Sequence, residues 1–478
     1  MNIENVGTYS NKINIADYIS SKQARLYKII PFKFEDKLLH LYSSRSSEFS
    51  KLKLELEILL GIGVALHFLD EFEFQVLLDK MYPSDRHDSR GKNTFYTGDP
   101  DLFLNSLIAE ARSLESSDIH IEAYEKGCRV RIRIDGQLVQ RYLIEKDKYP
   151  SLINKIKIVA NLDISEKRLP QDGRIYYQFK ETKFDIRVST LPTLHGEKVV
   201  LRLLNNDSAN IDINLLGFDD VDLVNYMEGI KRPNGILLIS GPTGSGKTTT
   251  LYATLKLLNV STRNILTIED PIEYTLEGVN QVQVKDAIGL TFASALRHFL
   301  RQDPNVIMLG EIRDSETAHI AIRLALTGHL VLSTIHTNSA WGTVSRLIDM
   351  GVPPFLIANT LNTTVAQRLI RLLCPKCKRK SLFDDASFPK RYKSARKVEY
   401  HYIAEGCVYC HNTGFSGRKA VYEVLPVDEE LSEAIKNSSF KIDNLLKSRK
   451  IKTLSENAFG LFENGLTSLE EIYALLTN

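Results

Sequence analysis

The stretch Gly241-Pro-Thr-Gly-Ser-Gly-Lys247-Thr248 decides the reading of this chain, because it fits G-x-x-x-x-G-K-[ST] at every fixed position. The apolar run at 235–240 ahead of it reads as a buried strand, and residues 249–258 behind it read as a helix. Glycines let successive backbone N–H groups turn toward an anion without a Cβ in the way, and the helix N-terminus adds partial positive charge. Gly241, Pro242, Thr243, Gly244, Ser245, Gly246 and Thr249 would form the cradle. Lys247 would reach the β- and γ-phosphates, and the Thr248 hydroxyl would bind Mg²⁺. The implied ligand is a nucleoside triphosphate such as ATP.

Further short apolar runs follow at 265–268, 306–309 and 330–333, separated by helical segments. That pattern predicts an α/β unit over 215–478 with a parallel sheet covered on both faces and a helical C-terminal end. Upstream, residues 101–206 open with a helix at 102–114. Strands follow at 119–122, 129–134, 138–141, 174–179, 184–189 and 199–203. With Asp135-Gly136 as a hairpin turn, this unit reads as an α+β (PAS-like) domain, an antiparallel sheet with helices on one side. Residues 1–95 read as a small first domain, with strand-like runs at 26–30 and 38–42 and a helical pattern at 72–81. The polar stretch 83–92 reads as a linker. About three domains is what a chain of 478 residues leads one to expect.

Composition is that of an ordinary globular protein, with 43% apolar and 25% charged residues. A net charge of +2 offers no global field for gathering nucleic acid. No apolar run approaches the roughly 20 residues that span a bilayer. Met1-Asn-Ile-Glu-Asn-Val lacks the basic-then-apolar order of a signal peptide. The expectation is a cytoplasmic protein that meets a membrane indirectly, through a surface or a partner.

Four of the five cysteines form two pairs, Cys374-Pro-Lys-Cys377 and Cys407-Val-Tyr-Cys410. In a reducing cytosol two such pairs predict a tetrahedral four-thiolate site for structural Zn²⁺ rather than disulfides. A redox pair is the rival, but it needs no second pair. Cys128 sits in an alternating strand and reads as a small buried side chain. Between the pairs runs a basic segment from Lys376 to Lys397, which reads as a solvated face or as a contact for anionic lipid or an acidic loop.

Three polar clusters follow the predicted strands, at whose C-terminal ends ligand sites of open α/β sheets gather. They are Thr267-Ile-Glu-Asp-Pro-Ile-Glu-Tyr274, Gly310-Glu-Ile-Arg-Asp314, and the segment from His329 to His336 and Asn338. A nucleotide hydrolase needs an acidic group at Mg²⁺, a base or water-positioning group, and a sensor of the γ-phosphate. Carboxylates at two strand ends and histidines at a third can supply all three. Singly, each also reads as a helix cap or a satisfied histidine.

Together with Ser117-Asp-Ile-His-Ile-Glu122, Arg168-Leu-Pro-Gln-Asp-Gly-Arg174 and Leu300-Arg-Gln-Asp-Pro304, these motifs make residues 102–475 resemble the secretion ATPases of type II secretion and type IV pilus assembly. The resemblance implies a RecA-like ATPase domain in which Glu269 activates water, Glu311 supports Mg²⁺ and His336 senses the γ-phosphate. His329 matches the first histidine of the same box. Which of Glu269 and Glu311 is the base stays open. It also implies arginine fingers from the second N-terminal domain, Arg187 or Arg202, with Arg168 and Arg174 behind them. Each of these also reads as a solvated strand-edge arginine. The cysteines match the tetracysteine subdomain, 374–418, of assembly-type members.

The first domain resembles, through Ile30-Pro-Phe-Lys-Phe34 and Leu59-Leu-Gly-Ile62, the one that docks on the cytoplasmic domain of a membrane-platform partner. By the resemblance the chain forms a homo-oligomer, a hexamer, peripheral at the bacterial inner membrane. There it would drive assembly of a type IV pilus or a secretion pseudopilus. A pilus-retraction ATPase is the rival within the class, though such members generally lack the tetracysteine. A DNA translocase and a non-hydrolysing nucleotide-gated binding module are the others. Near-neutral charge weighs against the first, and the presence of Lys247 and the carboxylates against the second.

Overall fold

The computed structural model describes residues 99–179, 182–204, 212–392, 394, 396–439 and 442–477, and before them 19, 23–24, 27–35, 37–44, 49–69, 74, 77–78, 81 and 94–96. A small sheet comes first, with β1 (Ile29–Glu35) antiparallel to β2 (Leu38–Ser43) and β2 parallel to β3 (Gly63–Phe68). The helix Phe49–Leu60 makes the crossover that a parallel pair requires, and Leu56 packs with Ile30, Leu39, Leu41 and Val64. β2 matches the expected strand at 38–42, whereas the strand expected at 26–30 begins at Ile29. Residues 74, 77, 78 and 81 of the expected helix are helical, and the expected linker 83–92 lies outside the described residues.

The second sheet contains β4 (Thr94–Tyr96), β5 (Asp118–Ala123), β6 (Cys128–Ile134), β7 (Gln137–Ile144), β8 (Gln171–Phe179), β9 (Thr182–Thr193) and β10 (Gly196–Leu203). Their order is β4-β7-β6-β5-β10-β9-β8, antiparallel except for β4 on β7. β6 shows why the sheet is two-faced. Cys128, Val130, Ile132 and Ile134 point into the core, while Arg129, Arg131 and Arg133 alternate on the other side. Helices Pro100–Ser113 and Tyr149–Val159 cover the apolar face, with Leu107, Leu152 and Ile156 fully enclosed. On the charged face Glu122 accepts hydrogen bonds from Arg129 and Arg131 and pairs with Lys198. Asp135 and Gly136 both adopt left-handed backbone, the conformation of a two-residue hairpin turn.

The third sheet holds the phosphate loop. It is built from β11 (Gly235–Ser240), β12 (Ile265–Glu269), β13 (Asn280–Gln283), β14 (Val306–Leu309), β15 (Leu330–Ile335), β16 (Leu361–Leu373) and β19 (Phe415–Pro426). Their order is β13-β12-β14-β15-β11-β16-β19, and all pairs are parallel except β16 with β19. Ile236 and Leu238 enter one buried cluster, while Leu237 and Ile239 enter another on the opposite face. Burial on both sides is why β11, β12, β14 and β15 are continuous apolar runs. β16 and β19 did not emerge from the sequence, because Asn362, Thr363, Thr364, Gln367 and Arg368 interrupt the apolar pattern. Between those two strands lies a small antiparallel pair, β17 (Arg379–Leu382) and β18 (Tyr400–Ile403). Four helices, Glu429–Lys436, Asp443–Ser448, Leu454–Glu463 and Leu469–Leu476, form the expected helical end.

Candidate functional site

β11 delivers the chain to the phosphate loop, and Gly246, in left-handed backbone with φ 88°, caps the helix Lys247–Leu258 that leaves it. A Cβ on Gly241 would lie 2.5 Å from the Gln367 carbonyl oxygen, so no larger residue fits where the loop leaves the sheet. The Lys247 ammonium donates to the carbonyls of Gly241 at 2.8 Å and Pro242 at 3.1 Å. Burial pushes its pKa down and the Glu311 charge acts in the other direction. Thr248 is exposed at the loop mouth.

Glu311 follows β14, and its Oε2 lies 3.2 Å from Nε2 of His336, which follows β15. Arg313 donates to the other carboxylate oxygen. Burial would raise the Glu311 pKa, but Arg313 and His336 outweigh it and hold the carboxyl below its ordinary value. Lys247, Glu311 and His336 therefore belong to one electrostatic site. Glu269 is enclosed beside it at 3% exposure. It accepts from Thr267 Oγ1 at 2.6 Å, from Gln281 Nε2 at 3.1 Å and from the Tyr252 hydroxyl. Three of its roughly four acceptor sites are thus engaged within the protein. His329 differs from the expectation: it precedes β15, about 20 Å of strand away from His336. There its ring bonds with Leu324 O and Thr327 Oγ1.

The arginines separate clearly. Arg187, on β9, extends to the acidic loop of its own chain, with Nη1 3.2 Å from Glu273 Oε2 and Nη2 on the Ile272 carbonyl. Arg202, beside it on β10, bonds to Asp118 at 3.0 Å within the second sheet. Arg168 is exposed and paired with Glu166, and Arg174 is exposed opposite Arg187 on β8. Only Arg187 among the four is brought to the acidic loop that follows Glu269. Sequence reasoning missed Tyr252 and Gln281, which hold Glu269, and Gln367 and Arg368, which border the phosphate loop. The last two sit on the unrecognised strand β16.

The sulfurs of Cys374, Cys377, Cys407 and Cys410 lie within 4.8 Å of one another. Cys374–Cys407 is 3.8 Å, and Cys377–Cys410 and Cys407–Cys410 are each 3.7 Å. Four thiolates about 2.3 Å from a central Zn²⁺ at tetrahedral corners stand about 3.8 Å apart, so the set fits that ion. A disulfide needs about 2.05 Å. Backbone N–H groups of Cys407 and Gly414 also donate to the Cys410 sulfur. Much of the basic segment is engaged locally. Lys378 donates to the Gly465 carbonyl, Arg379 pairs with Glu405, Lys380 lies over the Tyr400 ring and Arg396 pairs with Glu463. Lys393 lies outside the described residues.

Residues 100–474 match the family described as Type II/IV secretion system protein. The chain belongs to that family. This secretion-system protein is 46% identical over 372 residues to the type II secretion system ATPase E of Vibrio cholerae, covering 77% of this chain and 74% of the relative. It is 47% identical over 379 residues to the type IV pilus assembly ATPase PilB of Myxococcus xanthus, covering 77% and 66%. The type II secretion system protein E of Dickeya dadantii matches over 93% of this chain and 86% of its own length at 40% identity. Among solved structures, the Legionella pneumophila ATPase DotB shares the fold, with a TM-score of 0.60 and 22% identity over 81% of this chain and 99% of that one. The pilus retraction motor PilT with bound ADP aligns with a TM-score of 0.52 and 26% identity over 76% and 94%. The secretion-system protein is an ATPase of this family. No helix among its described residues is long and apolar enough to cross a membrane.

Proposed function

We propose that the chain hydrolyses ATP as one subunit of a hexameric ring at the cytoplasmic face of a bacterial inner membrane, powering assembly of a type IV pilus or a type II secretion pseudopilus. The observation that carries this reading is the convergence of Lys247, Glu311 and His336 at one sheet edge, with Arg187 of β9 bonded to the acidic loop that follows Glu269. Gly241 to Thr249 cradle the phosphates, and Lys247 turns from its loop carbonyls to the β- and γ-oxygens. Thr248 and Glu311 would hold Mg²⁺, and the ion would supply positive charge against the phosphate oxygens. His336 senses the γ-phosphate. Glu269 orients the attacking water once Tyr252 and Gln281 release its carboxylate. Arg187 and Arg202 supply positive charge to a neighbour's transition state.

The cysteines hold Zn²⁺ as a structural clamp on 374–418, which favours assembly over the retraction activity named for PilT. The first domain docks on the cytoplasmic part of a membrane-platform partner. The helix Phe49–Leu60 supports this with Leu54 and Ile58 at 61% and 77% exposure. The test is Mg²⁺-dependent ATP turnover by the assembled full chain, with loss of about 100-fold or more in Lys247→Ala. Undetectable turnover in an assembled ring would sink the motor. In a host lacking the chain, loss of surface pili or of secretion supports assembly, and excess piliation supports retraction.

A further inference from the structure

The loop that follows His336 is held from several sides. The Asn338 carbonyl accepts from Arg368 Nη2 at 3.1 Å. The Ala340 carbonyl accepts from Thr364 Oγ1 at 3.0 Å, and the Ala340 N–H donates to Glu423 Oε1 at 2.8 Å. The second oxygen of Glu423 accepts the Leu454 N–H at 3.1 Å, in the first turn of the C-terminal helix Leu454–Glu463. One carboxylate thus joins the histidine loop to the helical end of the chain.

Neither contact is incidental to the sheet. Glu423 on β19 lies opposite Ala366 on β16, whose small side chain leaves the carboxylate room to reach across. Glu423 is 5% exposed, and burial pushes its carboxyl up despite the two amides and the Arg368 charge. Removing a buried acceptor from two amides at once leaves both donors without partners. Arg368 and its neighbour Gln367 also border both ends of the phosphate loop. A Cβ on Gly241 would lie 3.2 Å from Arg368 Nη1, and one on Gly246 would lie 2.9 Å from Gln367 Nε2. Gln367 Oε1 accepts from Thr250 Oγ1 at 3.0 Å in the following helix.

We infer that Glu423 and Arg368 are positioning residues for hydrolysis, fixing the His336 loop at a set distance from the phosphate loop and tying it to the C-terminal helices. The inference rests on the reading of His336 as part of the hydrolytic site. Glu423 bonds Ala340 and Leu454 rather than the phosphate loop, so its loss misplaces His336 while the cradle stays in place. Arg368 also borders the loop and its charge acts on Lys247, so its test is a variant that keeps the charge. Small misplacements of a group that acts in the transition state cost turnover more than binding.

The test uses the assembled full chain, steady-state ATP turnover, and a fluorescent ADP analogue for affinity. Glu423→Gln keeps the shape but turns one acceptor into a donor facing an amide. It is expected to lower kcat about tenfold while analogue affinity and KM stay within about twofold. Arg368→Lys, at a half-buried position, keeps the charge but loses the planar fork, and it is expected to show the same split. His336→Ala, measured alongside, separates the two levels of the argument. If it turns over like wild type, the His336 reading fails and takes the inference with it. If it loses turnover while Glu423→Gln and Arg368→Lys keep theirs, the inference alone is overturned. Parallel loss of kcat and affinity in both variants would make them structural residues and also overturn it.

Discussion

Arg187 and Glu273 lie 3.2 Å apart across the seam between the second sheet and the phosphate-loop sheet. Their pairing joins β9 to the acidic loop within one chain. An arginine held this way is withheld from any neighbouring subunit until the pair opens. Arg202 is withheld in another way, by Asp118 on its own sheet.

Removing either arginine should therefore differ from removing a partner that withholds it. Arg187→Ala and Arg202→Ala are each expected to slow hydrolysis about 10²-fold or more with nucleotide affinity retained, as loss of a charge used in the transition state does. Asp118→Asn frees Arg202 without removing it and should preserve most of the turnover. Steady-state kinetics with a parallel binding assay checks all three. Loss of affinity in step with turnover would reassign the arginines to folding.

The sulfur spacing predicts about one Zn²⁺ per purified chain. Replacing Cys374 and Cys377 with serine should release it and lower the melting temperature, because binding of a structural metal is coupled to folding. Metal analysis of the wild type and the double variant reads the outcome. A wild-type protein devoid of zinc would remove this assignment.

Glu122 carries a pH signature. Burial alone would raise its pKa, but Arg131, Lys198 and Arg129 bring it down from 4.5 to about 2. The native state thus binds a proton less readily than the unfolded chain does. The stabilisation is complete above pH 4.5 and is lost as the pH falls toward 2. Acid melting curves should show a smaller drop across that window in Glu122→Gln than in the wild type, from a lower starting stability.

Asp222 has the opposite sign. Burial, followed by the Asp219 charge, raises its pKa from 3.8 to about 7. It costs stability as the pH climbs from 3.8 through 7, because the native state resists losing the proton. Asp222→Asn should raise the melting temperature at pH 8, with about 2–4 °C for each kcal/mol recovered. The gain should fade below about pH 4, where the wild-type carboxyl is protonated in both states.

The sequence by itself determined what depends on local order. A glycine-rich turn between an apolar strand and a helix has one stable way to present its amides, so Gly241 to Thr248 are legible in the sequence. Two cysteine pairs at x₂ spacing carry their own tetrahedral logic, and runs buried on both faces announce a parallel sheet. Tertiary structure alone decided which groups meet. β16 and β19 escaped detection because their buried polar side chains find partners on distant segments, as Thr364 does with Ala340 and Glu423 with Leu454. Hydrogen bonds between segments far apart in the chain leave no periodicity to read. For the same reason the sequence could name Glu269 but not its enclosure by Tyr252 and Gln281. Equally, it could name Arg187 and Arg202 without showing that only the first reaches Glu273.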